Sequence, residues 1–214
     1  MKVFLVGANG QIGQKLVKLL ADSSEHEVTA MIRNPEQAGD LEKIGAQTAA
    51  ANLEGSVEDL AAAVKGHDAI IFSAGSGGST GSDKTLLVDL DGAVKVMEAA
   101  EQSGVERFVM VSALQAHNRE NWNEKIKPYY VAKHYADKAL EASKLNYTIV
   151  RPGGLLNEPG TGKVKAGENL ERGSIPREDV AQTIFTALTE ENTFKRGFDL
   201  TSGEQSISDA LKNL

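Results

Sequence analysis

The segment from Val3 to Gly13 limits the fold of this chain more than any other. It is a short apolar run that ends in a Gly-x-x-Gly-x-x-Gly pattern and passes directly into an amphipathic helical pattern. A strand, a glycine-rich turn and a helix in this order bring backbone N–H groups and the positive helix end to one point, where a dinucleotide pyrophosphate can bind. We predict that Gly7 makes the tight turn, Gly10 admits the phosphates and Gly13 lets the helix pack on the strand. Because the commoner spacing is Gly-x-Gly-x-x-Gly, the segment alone also fits a glycine-rich turn in an unrelated α/β protein.

The composition fits one globular domain and excludes several kinds of site. A chain of 214 residues with 41% hydrophobic and 25% charged residues can bury a substantial core. It has no cysteine, which excludes disulfides, thiolate metal sites and a cysteine nucleophile. The net charge of −7 disfavours non-specific binding to nucleic acid or acidic membranes. No apolar run reaches the length of a signal-peptide core or a membrane span, so we expect a cytoplasmic location by default.

Apolar runs typical of buried parallel strands alternate with helical patterns along the chain. The runs are Val3–Val6, Val28–Ile32, Ala69–Phe72, Phe108–Val111 and Tyr147–Val150, with a weaker strand at Ala46–Ala50 and a final one at Phe198–Thr201. This alternation predicts an α/β fold with a doubly wound parallel sheet of the Rossmann type. The expected strand order is 3-2-1-4-5-6, with right-handed crossovers.

Helical periods fill the segments between these strands. One apolar stripe comprises Ile12, Leu16, Leu19 and Leu20, and a second comprises Leu86, Leu90, Ala93, Met97 and Ala100 and ends near Gly104. Further helices are predicted over Val57–Lys65, from Pro128 to about Lys144, and from Pro176 onward. Only residues 153–175 lie between Pro152, which follows the strand Tyr147–Val150, and the helix that begins at Pro176. We therefore predict a single domain over residues 1–214, with a very small C-terminal substrate lobe at residues 153–175.

The end of the second predicted strand bears on which nicotinamide cofactor binds. Sites specific for NAD usually place Asp or Glu there to accept hydrogen bonds from the ribose 2′-OH. This chain has Met31-Ile32-Arg33-Asn34 instead, so a cation stands where a 2′-phosphate would lie. We predict NADP(H) in preference to NAD(H); the alternative is an ordinary surface arginine after a strand.

A Tyr-x-x-x-Lys pair suggests the chemistry. Tyr129 precedes Lys133 by four residues, so on a helix the two side chains share a face. An ammonium beside a phenol favours the phenolate, which lets the tyrosine exchange a proton with a carbonyl or hydroxyl oxygen while hydride moves at carbon. Lys133 can also hold the nicotinamide ribose. Ser112 ends the fifth strand, where its hydroxyl either reaches a substrate oxygen or closes the strand by a local hydrogen bond.

Together these motifs resemble the atypical short-chain dehydrogenase/reductases, of the small NAD(P)-binding type grouped with sugar epimerase/dehydratases and biliverdin reductase B-like proteins. The likeness covers nearly the whole chain. It rests on Gly7, Gly10 and Gly13, Ala74-Gly75, Asp89, Ser112, Tyr129 and Lys133, Arg151-Pro152-Gly153-Gly154 and Arg177-Glu178-Asp179-Val180. The combination is more specific for the superfamily than for one reaction.

The resemblance implies a cofactor site along the carboxyl edge of the sheet. The implied cofactor-binding residues are Gly7, Asn9, Gly10, Gln11, Ile12 and Gly13 at the pyrophosphate, Arg33 near the adenosine phosphate, Asn52 and Leu53 beside adenine, Ala74 and Gly75 at the ribose, and Lys133, Pro152 and Gly153 at the nicotinamide. The implied catalytic residues are Tyr129, Lys133, Ser112 and Asp89.

Two positions depart from the pattern of the superfamily. Its catalytic tetrad uses Asn where this chain has Asp89, which helical spacing places beside the buried stripe. That carboxylate either holds Lys133 through a water molecule or pairs with a neighbour for structural reasons. Longer epimerase-like relatives often carry a second hydroxyl two residues after the strand-end serine, where this chain has Leu114. If the catalytic hydroxyl belongs there, Ser112 is not catalytic.

The substrate side offers fewer signals. We expect the insert His117–Lys127 to overhang the nicotinamide, which makes His117 and Trp122 candidates for substrate contact, although both also fit ordinary surface positions. Because the segments that could close over the site are short, we expect a small or flat substrate. The four histidines lack metal-ligand spacing, so no metal site is predicted.

Three functions remain open from the sequence. The first is an NADP(H)-dependent oxidoreductase or epimerase-like enzyme that acts on a small molecule with Tyr129 as acid/base. The second is a non-catalytic NADP(H)-binding redox sensor, and the third is a flavin or quinone reductase, which depends less on a tyrosine. We expect a monomer or weak homo-oligomer that binds neither nucleic acid nor membrane.

Overall fold

A nine-stranded, mostly parallel sheet forms the centre of the molecule, which a computed structural model describes over all 214 residues. The strands are β1 (Lys2–Val6), β2 (Glu27–Ile32), β3 (Gln47–Ala50), β4 (Ala69–Phe72), β5 (Arg107–Val111), β6 (Asn146–Pro152), β7 (Gly154–Leu156), β8 (Lys163–Gly167), β9 (Ser174–Pro176), β10 (Arg196–Ser202) and β11 (Gln205–Ser206). The order in the main sheet is β3-β2-β1-β4-β5-β6-β10-β8-β11. The predicted order 3-2-1-4-5-6 is therefore confirmed, and three strands extend the sheet beyond β6.

Helices cover both faces of this sheet. They are α1 (Gln11–Ala21), α2 (Ala38–Lys43), α3 (Val57–Val64), α4 (Ser82–Lys84), α5 (Ala93–Ser103), α6 (Lys127–Ala142), α7 (Arg177–Ala187) and α8 (Ile207–Lys212), and a π-helix over Thr85–Gly92 joins α4 to α5. None of them combines the length and the apolar character needed to cross a lipid bilayer.

Strand β1 shows why the core divides into two layers. Successive side chains of a strand point to opposite faces, so Val3 and Leu5 pack in one apolar cluster with α1 and α7. Phe4 and Val6 pack in the other, with α3 and α5. A strand buried on both faces must be apolar at every position, which is why β1 reads as an unbroken apolar run.

The π-helix corrects one prediction about the second helical stripe. Leu86 was expected on the buried side with Ala93 and Met97, yet its side chain is 51% exposed while Ala93 and Met97 are buried. Over Thr85–Gly92 the backbone hydrogen bonds join residues i and i+5 instead of i and i+4, so each turn contains more residues than in an α-helix. The side of the helix that faces the core therefore carries different residues from those that a 3.6-residue period predicts. Thr85 and Asp89 occupy that side instead.

Residues 153–175 form two structures. Strands β7 and β9 pair with each other in a small parallel sheet, whereas β8 joins the main sheet antiparallel to β10. The predicted final strand Phe198–Thr201 corresponds to β10, which lies between β6 and β8 and runs parallel to β6. The segment that continues from β6 therefore leaves the main sheet, returns to it as β8, and leads through β9 into α7.

Candidate functional site

The turn between β1 and α1 is closely packed, which explains two of its glycines. Gly7 has a φ of +90°, which favours glycine, and a Cβ atom there would lie 2.5 Å from the backbone nitrogen of Ala74 at the end of β4. A Cβ atom on Gly13 would collide with the carbonyl oxygen of Gly7 and lie 2.8 Å from the Cα of Ala8. Gly13 therefore allows helix and turn to touch.

The amino end of α1 opens toward a cavity and carries no competing group. Gly10 precedes the helix and supplies no side-chain cap, and the first turn contains no acidic residue. Gly10, Gln11 and Ile12 line the cavity. The first N–H groups of a helix have no intrahelical partner and sit at the positive end of its dipole. This end of the cavity is therefore suited to an anion.

A smaller cavity of about 230 Å³ lies on the β2–β3 side of that helix end. Its lining contains Gly7, Asn9, Gly10, Arg33, Asn52, Leu53, Ala74 and Gly75 from the predicted set, with Met31, Gln37, Glu54 and Val88. Arg33 is exposed and takes part in none of the ion pairs of the structure. Glu54 pairs with Lys84 at 2.7 Å, so the carboxylate in this lining is neutralised.

A larger cavity of about 980 Å³ adjoins the first and shares Gly10, Ala74 and Gly75 with it. Its lining contains the predicted residues Gln11, Ile12, Asp89, Ser112, Tyr129, Lys133, Pro152 and Gly153. Every residue predicted to bind the cofactor or to act in catalysis thus lines one of the two cavities except Gly13, which packs beneath the turn. The two cavities form a trough along the carboxyl ends of β1, β4, β5 and β6, where ligands of open α/β sheets bind.

Tyr129, Lys133 and Asp89 meet in the larger cavity. The Lys133 Nζ lies 5.7 Å from the centre of the Tyr129 ring and 3.4 Å from Asp89 Oδ1, and it donates a hydrogen bond of 3.2 Å to the carbonyl oxygen of Val111. Asp89 Oδ2 accepts a hydrogen bond from the backbone N–H of Ser76. The carboxylate therefore faces Lys133 directly and also fixes the loop after β4.

Burial and neighbouring charges shift the pKa values of Tyr129 and Lys133 in opposite directions. Burial raises the pKa of the Tyr129 hydroxyl above its usual value, and the Lys133 ammonium opposes that rise. Burial alone would lower the pKa of Lys133, but Tyr129, Asp89 and Asp137 together raise it. The pKa values of Lys133 and Tyr129 are therefore both raised above their usual values.

Ser112 lies at the end of β5, with its hydroxyl beside Asp137. The side chain is 2% exposed and lines the larger cavity, and its Oγ makes no close hydrogen bond to the backbone. A contact of this hydroxyl with a substrate oxygen stays a prediction. Beneath it, Asp137 accepts a hydrogen bond of 2.7 Å from Arg151 Nε in a buried ion pair. Burial raises the pKa of Asp137, and the Arg151 guanidinium and the Ser112 hydroxyl oppose this rise.

Two substrate candidates lie outside the cavity. His117 faces Asn169 Oδ1 at 2.9 Å and lies 4.0 Å from Asp199, and Trp122 stacks on Tyr130 and donates to a backbone carbonyl. Neither lines the trough, so the expectation that they contact substrate is wrong. The insert does reach the cavity, but through Asn123, Lys125 and Ile126.

Sequence reasoning missed several residues of the site. Asp137 follows Lys133 by four residues, as Lys133 follows Tyr129, so helical spacing could have placed it on the same face of α6. Lys125, Arg172 and Arg177 also line the larger cavity. They stand in loops or at a helix start, where no periodicity reports the direction of a side chain.

The chain is similar to a known family and to several known proteins. The profile of a family described as NAD(P)H-binding matches residues 7–191. A Bacillus subtilis (strain 168) protein described as an uncharacterized sugar epimerase, YhfK, is 67% identical over 214 residues and covers all of both chains. A Bacillus halodurans structure, proposed to be an NAD-dependent epimerase/dehydratase, superposes with a TM-score of 0.94 at 40% identity over the full length of both chains. The Escherichia coli O157:H7 anaerobilin reductase ChuY has a TM-score of 0.81 at 25% identity, over 96% of this chain and 99% of its own.

Proposed function

Because the chain belongs to the NAD(P)H-binding family, we propose that it is an NADP(H)-dependent oxidoreductase of the short-chain dehydrogenase/reductase type. Tyr129 is the acid/base of the reaction, and the substrate is a small carbonyl compound or alcohol. One observation carries the proposal: the Tyr129–Lys133 pair and the uncapped amino end of α1 line the same cavity. A cofactor bound by its phosphates at α1 can therefore reach the phenol.

The residues present fit a dinucleotide. The two cavities meet at Gly10, Ala74 and Gly75, so one elongated ligand can occupy both. Its phosphates would meet the free N–H groups at the start of α1. Its adenosine would lie between Arg33 and Asn52, and its nicotinamide near Gly153. Arg33 favours NADP(H), because the exposed guanidinium has no carboxylate partner and can take a 2′-phosphate.

The chain's own residues account for the proton transfer. When bound, the reduced nicotinamide would supply a hydride, which is one proton with two electrons. Tyr129 donates its proton to the carbonyl oxygen of the substrate, so that the carbonyl compound, NADPH and one proton become an alcohol and NADP⁺. Lys133 stabilises the phenolate that remains, because its ammonium lies 5.7 Å from the ring centre. Solvent then returns a proton to Tyr129.

Two further residues would position the reacting groups. Ser112 lines the cavity beside Asp137, so a small rotation of its side chain would let the hydroxyl donate to the same substrate oxygen as Tyr129. Asp89 and the Val111 carbonyl hold the ammonium of Lys133 in place. Asp89 therefore acts through Lys133 as a positioning residue.

The test measures NADPH oxidation with aldehydes, ketones, quinones and flavins. We expect Tyr129→Phe to lower turnover of a carbonyl substrate about 10²- to 10⁴-fold with unchanged NADPH binding. The matched control is Tyr135→Phe, on the same helix but exposed and outside the cavity. Equal turnover of a quinone or flavin by the natural chain and Tyr129→Phe would favour a reductase that needs no phenol. NADPH binding without turnover of any acceptor would favour a sensor.

A further inference from the structure

We infer that the substrate carries an anionic group, a carboxylate or a phosphate, and that Lys125 and Arg172 bind it in the larger cavity. The inference rests on the proposed function, since it assigns the substrate class of that same site. It is carried by the distribution of charge in the cavity, by the lack of internal partners for the two cations, and by their position relative to Tyr129.

The lining of the larger cavity reverses the charge balance of the protein. The chain has 30 acidic and 23 basic residues, for a net charge of −7. The charged residues that line this cavity are Asp89, Lys125, Lys133, Arg172 and Arg177. Asp89 and Lys133 neutralise each other at 3.4 Å. Three cations and no further carboxylate remain, so the cavity attracts anions in an otherwise acidic molecule.

The protein leaves these three charges uncompensated. None of them takes part in an ion pair of the structure. Arg177 donates to the Leu155 carbonyl and to the Asn157 side chain, and Arg172 donates to the Asn121 carbonyl, all of which are neutral groups. A ligand carboxylate or phosphate would supply the missing charge, and a guanidinium can bind either one through two hydrogen bonds.

Lys125 and Arg172 reach the cavity from two segments that are held together. Lys125 lies in the helical turn Glu124–Ile126 just before α6, four residues ahead of Tyr129. Arg172 lies between β8 and β9, and its hydrogen bond to Asn121 ties that loop to the segment before α6. The residue after it, Gly173, accepts a hydrogen bond from the N–H of Gly154.

Both cations line the cavity that also contains the reacting groups. Lys125 precedes Tyr129 by four residues, and the residue after Arg172 is hydrogen-bonded to the Gly153-Gly154 segment expected at the nicotinamide. An anionic group held by the two cations would keep the rest of a small substrate in the cavity that contains the phenol. Arg177 begins α7, which packs against α1, so its charge would also attract phosphates bound at the start of α1. The test therefore uses Lys125 and Arg172.

The experiment compares three benzaldehydes with different para groups. They are 4-formylbenzoate, 4-formylphenyl phosphate and the uncharged 4-methylbenzaldehyde, each titrated by calorimetry and ligand-observed NMR into protein saturated with NADP⁺, so that nothing is reduced. We expect at least one anionic probe to bind about 10-fold or more tightly than the neutral one, since a hydrogen bond to a charged group is worth that much. The preferred anion identifies the group as carboxylate or phosphate.

The double variant Lys125→Gln/Arg172→Gln should lose this preference about 10- to 100-fold while 4-methylbenzaldehyde binds as before. The control Lys65→Gln/Arg196→Gln removes the same charge from exposed positions outside both cavities, so its preference should be unchanged. Equal binding of the three probes to the natural chain would overturn the inference. So would an anion preference that survives in the first double variant, because the anion would then sit elsewhere, such as at α1.

These readouts separate the inference from the proposed function. They measure binding without turnover, whereas the proposed function depends on the effect of Tyr129→Phe on turnover. If NADP⁺ itself does not bind, the same titrations into the free protein still report the anion preference. A lost anion preference in the first double variant, with turnover independent of Tyr129, would leave the anion site standing and reject the acid/base role.

Discussion

The ammonium of Lys133 lies 3.4 Å from the carboxylate of Asp89, and both side chains are almost completely buried. The contact joins α6 to the π-helix, in which the extra residue per turn directs Asp89 inward. The Asp89 carboxylate brings a negative charge to the cluster of Tyr129 and Lys133, which an asparagine at this position would not supply. The carboxylate raises the pKa of Lys133 and of Tyr129 alike.

Replacing that carboxylate should move the pH profile of the reaction. Asp89→Asn removes a charge that raises the pKa of Tyr129, so the pKa of the phenol falls. Carbonyl reduction needs the protonated phenol and is lost as pH rises through its pKa. The descending limb of kcat against pH should therefore shift to lower pH. Asp91→Asn, which affects an exposed carboxylate paired with Lys95, is the control and should leave the profile in place. An unmoved limb in Asp89→Asn would contradict this coupling.

Arg33 should decide between the two nicotinamide cofactors. Arg33→Ala removes the cation proposed to bind the 2′-phosphate, so the Kd of NADPH should rise about 10- to 100-fold, and the Kd of NADH should stay nearly the same. Calorimetry with both cofactors measures the ratio, and Arg196→Ala controls for the loss of one positive charge. A ratio near one in the natural chain, unaffected by Arg33→Ala, would be incompatible with the assignment.

Two glycines in helices should respond oppositely to alanine. A Cβ on Gly13 meets the backbone of Gly7 and Ala8, so Gly13→Ala should lower the free energy of unfolding by about 1–3 kcal/mol or more and weaken NADPH binding. Gly39 lies in α2 with nothing within 4 Å of an added Cβ, and Gly39→Ala should raise stability by about 0.5–1 kcal/mol. Urea denaturation followed by circular dichroism measures both. A stable Gly13→Ala variant that still binds NADPH would show that helix and turn can separate at little cost.

The buried pair beneath Ser112 should matter for stability. Asp137→Ala leaves Arg151 buried without the carboxylate that accepts its Nε hydrogen bond, so the free energy of unfolding should fall by about 3–5 kcal/mol. Asp40→Ala, in an exposed pair with Lys43, should leave it nearly unchanged. Urea denaturation of the two variants measures the contrast. If the free energy of unfolding fell only slightly in both variants, Glu141, which lies 3.4 Å from Arg151, would be sufficient to pair with the buried guanidinium.

Strand order could be predicted because parallel strands buried on both faces carry apolar residues at every position. β1 and β4 are such strands, and the family resemblance followed from the motifs at their carboxyl ends; the family match at residues 7–191 confirms it. β8 was missed because charged residues alternate with apolar ones in Lys163–Gly167 and its partner β10 lies about thirty residues later in the chain. No local pattern reports such a pairing.

The errors within the site have equally specific causes. Leu86 was placed on the buried side by a 3.6-residue period, which a π-helix does not follow. His117 comes two residues after Gln115, which has a left-handed φ of 63° that the sequence does not reveal, and its imidazole faces Asp199 and Asn169 and not the trough. Lys125 and Arg172 line the cavity only because two loops meet through Asn121, which is a tertiary contact.

The position of β10 between β6 and β8 has a consequence for how the chain assembles during translation. The first six strands can pair as soon as they leave the ribosome, since each joins a neighbour already made. Strand β8 emerges earlier than β10 but has no partner in the main sheet until β10 or β11 exists. The strands β1 to β6, whose carboxyl ends would bind the nucleotide, can thus form their part of the sheet first. The segment between β8 and β9, which carries Arg172, can take its final position only after β10 or β11 has been made.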